Sequence, residues 1–412
     1  MKGILRYHRF TTAVVILIAG IFLLAQCMEP DSTKTEIAKS SEFLQYAGSE
    51  ACISCHKNIY DSHIHTAHYL TSRPATDQYI LGSFDFGKNI FAFSKDTMVK
   101  MEKRDNYYYQ VEYIYGVEKL ARRFDIVVGS GTKGQTFLNW GDNQLYQLPI
   151  TWFTAAGEWS NSPGYPGRAI FSRPITSRCL ECHSTYVQEI SAPGAEPEEF
   201  DSRQMIYGVD CEKCHGPAAK HVEFEKQNPK DTTGKYIINP ALLTRQQSLD
   251  FCRLCHGGRL NKITASFAFQ VGDTLSNYFS TQTALNDADN IDVHGNQYGL
   301  LAASKCFRMS QMTCNTCHNS HENEAGKIAL FSQRCISCHR TGHEPLCKLT
   351  RKIGSSINQN CIDCHMPLKP SRAIEVFLQG DDVPTPAKMR SHYIKIYPDE
   401  TKKMLALLHK AK

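Results

Sequence analysis

The chain has 412 residues, of which 46 are basic and 41 acidic, and its net charge is +5 at pH 7. The charges are spread along the chain without a polybasic run, so the composition predicts no nucleic-acid partner. Seventeen cysteines and seventeen histidines are the unusual part of the composition, and most of the cysteines share one spacing.

The N-terminus has the pattern of an export signal. Lys2, Arg6 and Arg9 precede an apolar run from Ala13 to Ala25. That run has the length of a signal-peptide core and is shorter than the roughly 20 residues that cross a bilayer. We therefore predict a signal peptide at 1–26 and export to the periplasm or the outer surface.

The segment Leu24-Ala25-Gln26-Cys27 is similar to a bacterial lipobox, which predicts a lipid anchor on Cys27 and attachment to a membrane. Gln26 stands where a small residue is usual, so cleavage by ordinary signal peptidase and retention as an uncleaved anchor are the alternatives. Residues 27–45 are polar and predict a flexible tether.

Seven copies of Cys-x-x-Cys-His follow, and each predicts covalent attachment of a c-type haem. Two thiols three residues apart reach the two vinyl groups on one edge of the macrocycle, and the next residue brings an imidazole to the iron. The predicted thioether cysteines are Cys52, Cys55, Cys179, Cys182, Cys211, Cys214, Cys252, Cys255, Cys314, Cys317, Cys335, Cys338, Cys361 and Cys364. The predicted proximal iron ligands are His56, His183, His215, His256, His318, His339 and His365. Structural zinc needs no histidine after every second cysteine, so zinc is the weaker interpretation.

The uneven spacing of the haem motifs divides the chain into segments. The fold class that we predict is α+β. Short α-helices and irregular loops should surround stacked haems, and aromatic and β-branched residues over 78–155 predict a β-rich insertion. The last residues predict one terminal helix. The predicted segments are 46–77 (first haem site), 78–178 (insertion), 179–305 and 306–395 (three haem sites each), and 396–412 (terminal helix).

The irons need further axial ligands, and histidines outside the motifs are the candidates. A histidine a few residues past a motif reaches the iron of a neighbouring haem more easily than its own. The predicted distal ligands are His68, His221, His294, His321, His343 and His392. His68 is preferred over its neighbours His63 and His65. Six candidates serve seven irons, so one haem is either open or closed by another side chain.

Several stretches resemble the cytochrome c-554-like family of multihaem proteins. These are Tyr46-Ala47-Gly48-Ser49-Glu50-Ala51 before the first motif, Gly208-Val209-Asp210 before the third, and Ser391-His392-Tyr393. The resemblance covers most of residues 46–395. It implies stacked bis-His haems and respiratory electron transfer, with an open haem in some relatives. The chain has no Cys-x-x-Cys-Lys site of the kind that nitrite reductases use.

Two further cysteines, Cys306 and Cys347, lie outside every motif. In an oxidising compartment they could form a disulfide, and a free thiol near a haem is the alternative.

The sequence thus predicts an exported heptahaem cytochrome that relays electrons in a respiratory chain. Its expected partners are quinol-linked membrane complexes or other cytochromes, and the membrane through the lipid anchor. The alternative is an oxidoreductase that acts on a small nitrogen or sulfur oxyanion at one open haem, so whether the chain is an enzyme stays open. Electron storage is a third possibility.

Overall fold

The computed structural model describes residues 40, 42–165, 167–281, 288–339 and 346–410. The predicted signal peptide, Cys27, most of the predicted tether and His343 lie outside these ranges. Within them, no helix combines the length and the apolar character that a membrane crossing requires.

The helices are short, as we expected for a chain that surrounds haems. The α-helices of the described ranges are α1 (Ile53–His63), α2 (Ser177–His183), α3 (Cys211–His215), α4 (Ala219–Gln227), α5 (Arg245–His256), α6 (Gln297–Ala302), α7 (Lys305–Arg308), α8 (Ile328–His339), α9 (Thr350–Ile353), α10 (Ile362–His365) and α11 (Pro398–Lys410). The 3₁₀ turns are Phe43–Gln45, Ser49–Cys52, Tyr69–Thr71, Pro240–Leu242, Leu275–Asn277, Ala288–Asn290, Cys314–Thr316 and Ser355–Gln359.

Two antiparallel sheets occupy the segment between the first two motifs. Their strands are β1 (Ser72–Pro74), β2 (Ile90–Ala92), β3 (Thr97–Arg104), β4 (Tyr107–Ile114), β5 (Val117–Arg123), β6 (Ile126–Val128), β7 (Gly134–Gly141), β8 (Gln144–Gln147), β9 (Ile150–Phe153), β10 (Glu158–Asn161) and β11 (Arg173–Pro174). One sheet has the order β2-β3-β4-β5, and the other has β1-β6-β7-β8-β11 with β9 on β7 and β10 on β9. Asp105 at φ 53° begins the tight turn from β3 to β4, a backbone conformation that aspartate tolerates.

An aromatic core fills the space between these sheets. Trp159 is 1% exposed, and its ring centre lies 5.6 Å from that of Phe137 and 5.8 Å from that of Phe84. The indole N–H donates to the main-chain oxygen of Ser83 at 2.7 Å. The insertion therefore has a core of side chains, which does not need haem to fill it.

Three hairpins lie outside this insertion, where we expected only helices and loops. They are β12 (Ser184–Glu189) with β13 (Phe200–Tyr207), β14 (Leu260–Lys262) with β15 (Phe279–Thr281), and β16 (Leu368–Val376) with β17 (Thr385–Arg390). The mixed α+β character is confirmed, but strand structure extends into the haem-bearing segments. Weak alternation in these short stretches explains why the sequence did not indicate them.

Gly82 offers a test of the aromatic core. A Cβ atom at Gly82 would lie 2.1 Å from Trp159 Cζ2, and the buried indole has no room to move. We expect Gly82→Ala to destabilise the protein by about 1–3 kcal/mol through overpacking, seen as a lower Tm in calorimetry. Gly167→Ala is the control, because nothing lies within 4 Å of its Cβ position. Equal Tm values for the two variants would contradict this packing.

Candidate haem-binding sites

A helical turn brings the three groups of most motifs together. Residues i, i+3 and i+4 share one face of a helix, so the two cysteines and the histidine of a motif point the same way. Helix α3 is the third motif itself, and α2, α5, α8 and α10 each end at a motif histidine. In α3, Asp210 caps the turn because its side chain accepts the N–H of Cys211.

Four motif imidazoles have their Nδ1 atom engaged by another part of the chain. His215 Nδ1 lies 2.9 Å from the main-chain oxygen of Ile238, and His365 Nδ1 lies 3.0 Å from that of Lys395. A carbonyl oxygen only accepts, so both Nδ1 atoms carry the proton and Nε2 keeps its lone pair. This arrangement orients a histidine for metal ligation through Nε2.

The other two contacts involve side chains. His183 Nδ1 lies 3.0 Å from Thr71 Oγ1, and His256 Nδ1 lies 3.1 Å from Gln297 Oε1. The four partner groups lie 23 to 112 residues from the histidines they contact. The sequence reasoning missed these partners, because no local pattern marks them.

Three motif imidazoles face a histidine that we predicted as a distal ligand. Two imidazoles bound on opposite sides of one iron have ring centres roughly 6 Å apart, since each metal–nitrogen bond is about 2 Å and each nitrogen lies about 1 Å from its ring centre. The observed ring pairs, with the distances between their centres, are His256–His68 at 6.2 Å, His215–His321 at 6.0 Å and His318–His392 at 6.2 Å. The spacing therefore fits an iron between the rings of each pair.

Desolvation keeps two of these distal candidates neutral. The His68 side chain is exposed, although nearby segments partly desolvate the imidazole and lower its pKa to about 4. Burial likewise lowers the pKa of His392 to about 4. Neutral imidazole is the form that ligates a metal, because only that form has a free lone pair.

His294 lies near the second motif histidine, His183. The two imidazoles are close enough to interact electrostatically, and burial is the main cause that lowers the pKa of each. The main-chain N–H of His294 donates to the Asp292 side chain at 2.8 Å, which orders the turn that holds His294.

The remaining candidates differ in their surroundings. His221 Nδ1 lies 2.8 Å from the main-chain oxygen of Lys235, which leaves its Nε2 available. His343 is not among the described residues. Within those ranges, neither His56 nor His365 makes a ring contact with another imidazole. Three of the six predicted distal ligands thus face a motif imidazole, and His294 lies near a fourth.

His63 is buried and lies beside one of the pairs. Its ring centre is 6.3 Å from that of His321, and its Nε2 lies 3.7 Å from Asp210 Oδ1. Burial lowers the pKa of His63, so the ring is neutral at pH 7. Nε2 of His63 has no hydrogen-bond partner.

Thiols of different motifs meet in the folded chain. Cys52 lies close to Cys211, Cys182 to Cys255, and Cys252 to Cys314. These contacts connect the first motif with the third, the second with the fourth, and the fourth with the fifth. Each thiol would bind one edge of a macrocycle. The close approach of thiols from different motifs therefore fits haems that lie edge to edge.

Cys306 and Cys347 do not form the disulfide that we considered, and both are free. They lie near different motifs. Cys306 is beside Cys317 and Cys338, whereas Cys347 is beside Cys361 and Cys364.

Comparisons with known proteins agree with the motifs. Residues 169–216, which hold the second and third motifs, match the family model described as cytochrome c554 and c-prime. The multiheme cytochrome MtrA of Shewanella baltica is 25% identical over 184 residues, which are 40% of this chain and 53% of that protein. The chain therefore matches about half the length of this curated relative.

The fold also has a solved counterpart. The crystal structure of outer cell wall cytochrome OcwA matches with a TM-score of 0.55 and 17% identity, over 87% of this chain and 81% of that one. This likeness shows a shared fold. Taken with the motifs and the other two matches, it identifies the chain as a multihaem c-type cytochrome.

The pairing of His68 with His256 can be tested by substitution. We expect His68→Ala to turn one haem iron from low spin to high spin, because the facing imidazole is removed. Electron paramagnetic resonance of the oxidised protein would show the new signal. His65→Ala is the matched control from the same short segment, and we expect it to leave the spectrum unchanged. If His65→Ala gave the high-spin signal instead, the assignment of His68 would be wrong.

Proposed function

We propose that the chain is an exported heptahaem c-type cytochrome that relays single electrons through closely packed, mostly bis-His haems in a respiratory chain. When bound, a c-type haem supplies an iron that takes up and gives up one electron. The polypeptide holds, orients and spaces these groups. No side chain needs to act as an acid, a base or a nucleophile in such a relay.

One observation carries this proposal. In three places a motif imidazole faces a second imidazole from a distant segment, with ring centres 6.0 to 6.2 Å apart. Each of these pairs joins a motif histidine to a histidine outside the motifs. Two protein ligands per iron leave no position for a substrate, so this arrangement favours electron relay over catalysis at those irons.

The thiol contacts support close packing. Cys182 and Cys255 belong to motifs more than seventy residues apart in sequence, and Cys182 Sγ also lies 3.8 Å from the main-chain oxygen of Leu254. Segments that touch at their attachment sulfurs would hold their macrocycles edge to edge. Short separations between redox groups are what a relay requires.

The second candidate function is an oxidoreductase with one open haem. The observation that favours it is the count of ligands, since six predicted distal histidines serve seven motifs. An iron with an open position binds small molecules such as nitrogen or sulfur oxyanions. The two functions therefore differ in the spin state of a single iron.

Export, lipid attachment and redox partners complete the proposal. The supporting pattern is the basic start, the apolar run and Cys27. A membrane-held cytochrome would exchange electrons with quinol-linked membrane complexes or with other cytochromes.

The relay predicts a definite haem count and spectrum. Protein from a host that attaches c-type haem should have a mass increased by seven haems, and all its irons should be low spin. Carbon monoxide and nitrite should leave the spectrum unchanged. A single high-spin iron that responds to either compound would favour the oxidoreductase, and a mass without haem would end both proposals.

Lipid attachment can be tested at Cys27. Expression of the full chain with labelled palmitate should label the wild type and place it in the membrane fraction. Cys27→Ser should lose the label and move to the soluble fraction, because the acceptor thiol is gone. Cys306→Ser is the control and should behave as wild type. Labelled Cys27→Ser protein would contradict the anchor.

A further inference from the structure

Gln297 makes a contact that sets the fourth motif apart from the others. Two of the engaged motif imidazoles face main-chain oxygens, and a third faces the hydroxyl of Thr71, which can donate or accept. In the part of the chain that is described, His256 is the motif histidine that faces a side-chain amide, because its Nδ1 lies 3.1 Å from Gln297 Oε1. A substitution can therefore remove or strengthen this contact.

The other end of the Gln297 amide fixes its orientation. Gln297 Nε2 donates to the main-chain oxygen of Val293 at 3.2 Å. An amide nitrogen only donates and an amide oxygen only accepts, so Oε1 is the atom that accepts the proton of His256 Nδ1. His256 therefore carries its proton on Nδ1, and Nε2 keeps its lone pair for an iron.

The segment that carries Gln297 lies against the end of the fourth motif. The main-chain N–H of Gly258 donates to the main-chain oxygen of Gly295 at 2.7 Å. Gly258 is at φ 81°, and a Cβ atom there would lie 2.7 Å from Asn296 Nδ2. Glycine is the residue that permits this close approach. The chain on both sides of the contact is thus fixed near His256 and Gln297.

The residues next to Gln297 hold the start of α6. The Asn296 side chain accepts the N–H of Gly299 at 3.0 Å and so caps this helix. Tyr298 packs against α5, because the guanidinium carbon of Arg253 lies 4.3 Å from the centre of its ring. Gln297 lies between a capping residue and a packed aromatic residue, so its main chain has a defined position relative to the fourth motif.

A hydrogen bond at Nδ1 changes how strongly an imidazole donates electrons to a metal. When Nδ1–H donates to an acceptor, the basicity of Nε2 rises. The oxidised iron is the more electron-poor form and gains more from this donation. Such a hydrogen bond therefore stabilises the oxidised form and lowers the reduction potential of the haem.

We propose that Gln297 is a positioning residue that orients His256 and lowers the reduction potential of the haem at the fourth motif. It acts through His256 and needs no contact with the iron. This inference rests on the proposed relay function. In the redox step one electron enters or leaves the iron, no bond forms or breaks, and the proton stays on Nδ1 in both states.

The test is a potentiometric titration of the holoprotein, followed by electron paramagnetic resonance. Gln297→Leu removes the acceptor, so we expect one low-spin iron to have a higher potential and changed g values, with the other steps in place. Gln297→Glu keeps an oxygen acceptor and makes it anionic, so the same step should move to a lower potential. The affected signal should be the one that His68→Ala removes.

Gln227 provides the matched control. It is an exposed glutamine in α4, and its amide donates to Glu223 at 3.4 Å. Gln227→Leu and Gln227→Glu repeat both chemical changes away from any described contact with an imidazole. We expect both variants to reproduce the wild-type titration.

The direction of the shift separates this role from simple packing. If Gln297 only packed its segment, Gln297→Leu would admit water, which favours the more highly charged oxidised iron and lowers the potential. An unmoved or lowered step in Gln297→Leu, or a raised step in Gln297→Glu, would overturn the proposal. If Gln297→Leu does not mature, Gln297→Glu decides, and an unmoved or raised step overturns it.

Haem mass and spin state separate this inference from the proposed function. If seven haems and low-spin irons persist while neither variant moves a potential, the role of Gln297 fails and the relay stands. If the wild type lacks haem, the relay and this inference fail together.

Discussion

The facing of two imidazoles across roughly 6 Å is the constraint on which the haem-bearing segments depend. Each such pair joins chain segments that are distant in sequence, as His68 and His256 do. A small shift of either chain segment would change the distance between the two rings. Both histidines therefore need fixed orientations. Contacts at Nδ1, such as that of Gln297 to His256, provide this control from a third segment.

Polar side chains connect the segments where long helices are absent. Glu212 binds the segment that precedes the first motif through the N–H groups of Ala47 and Gly48. Arg178 links the second motif to the fourth through the main-chain oxygen of Leu254. These side chains lie inside or beside the haem motifs themselves.

The β-rich insertion connects with the haem segments through its first strand. Ser72 of β1 donates to the main-chain oxygen of His183 at 2.5 Å and accepts the N–H of Gly208 at 2.9 Å. Gly208 is at φ 70°, and a Cβ there would lie 2.3 Å from the Tyr69 oxygen. The first strand of the insertion thus links the second motif to the segment that leads into the third.

The sequence by itself determined the chemistry and the composition of each motif. The spacing of Cys52, Cys55 and His56, repeated seven times, predicts haem attachment because one helical turn is enough to bring those groups together. Histidines such as His68 could be proposed as ligands, and the aromatic strands of the insertion could be recognised. Only the tertiary structure decided which histidine faces which motif and which thiols lie close together. Those relations depend on long-range folding, and no local pattern encodes them.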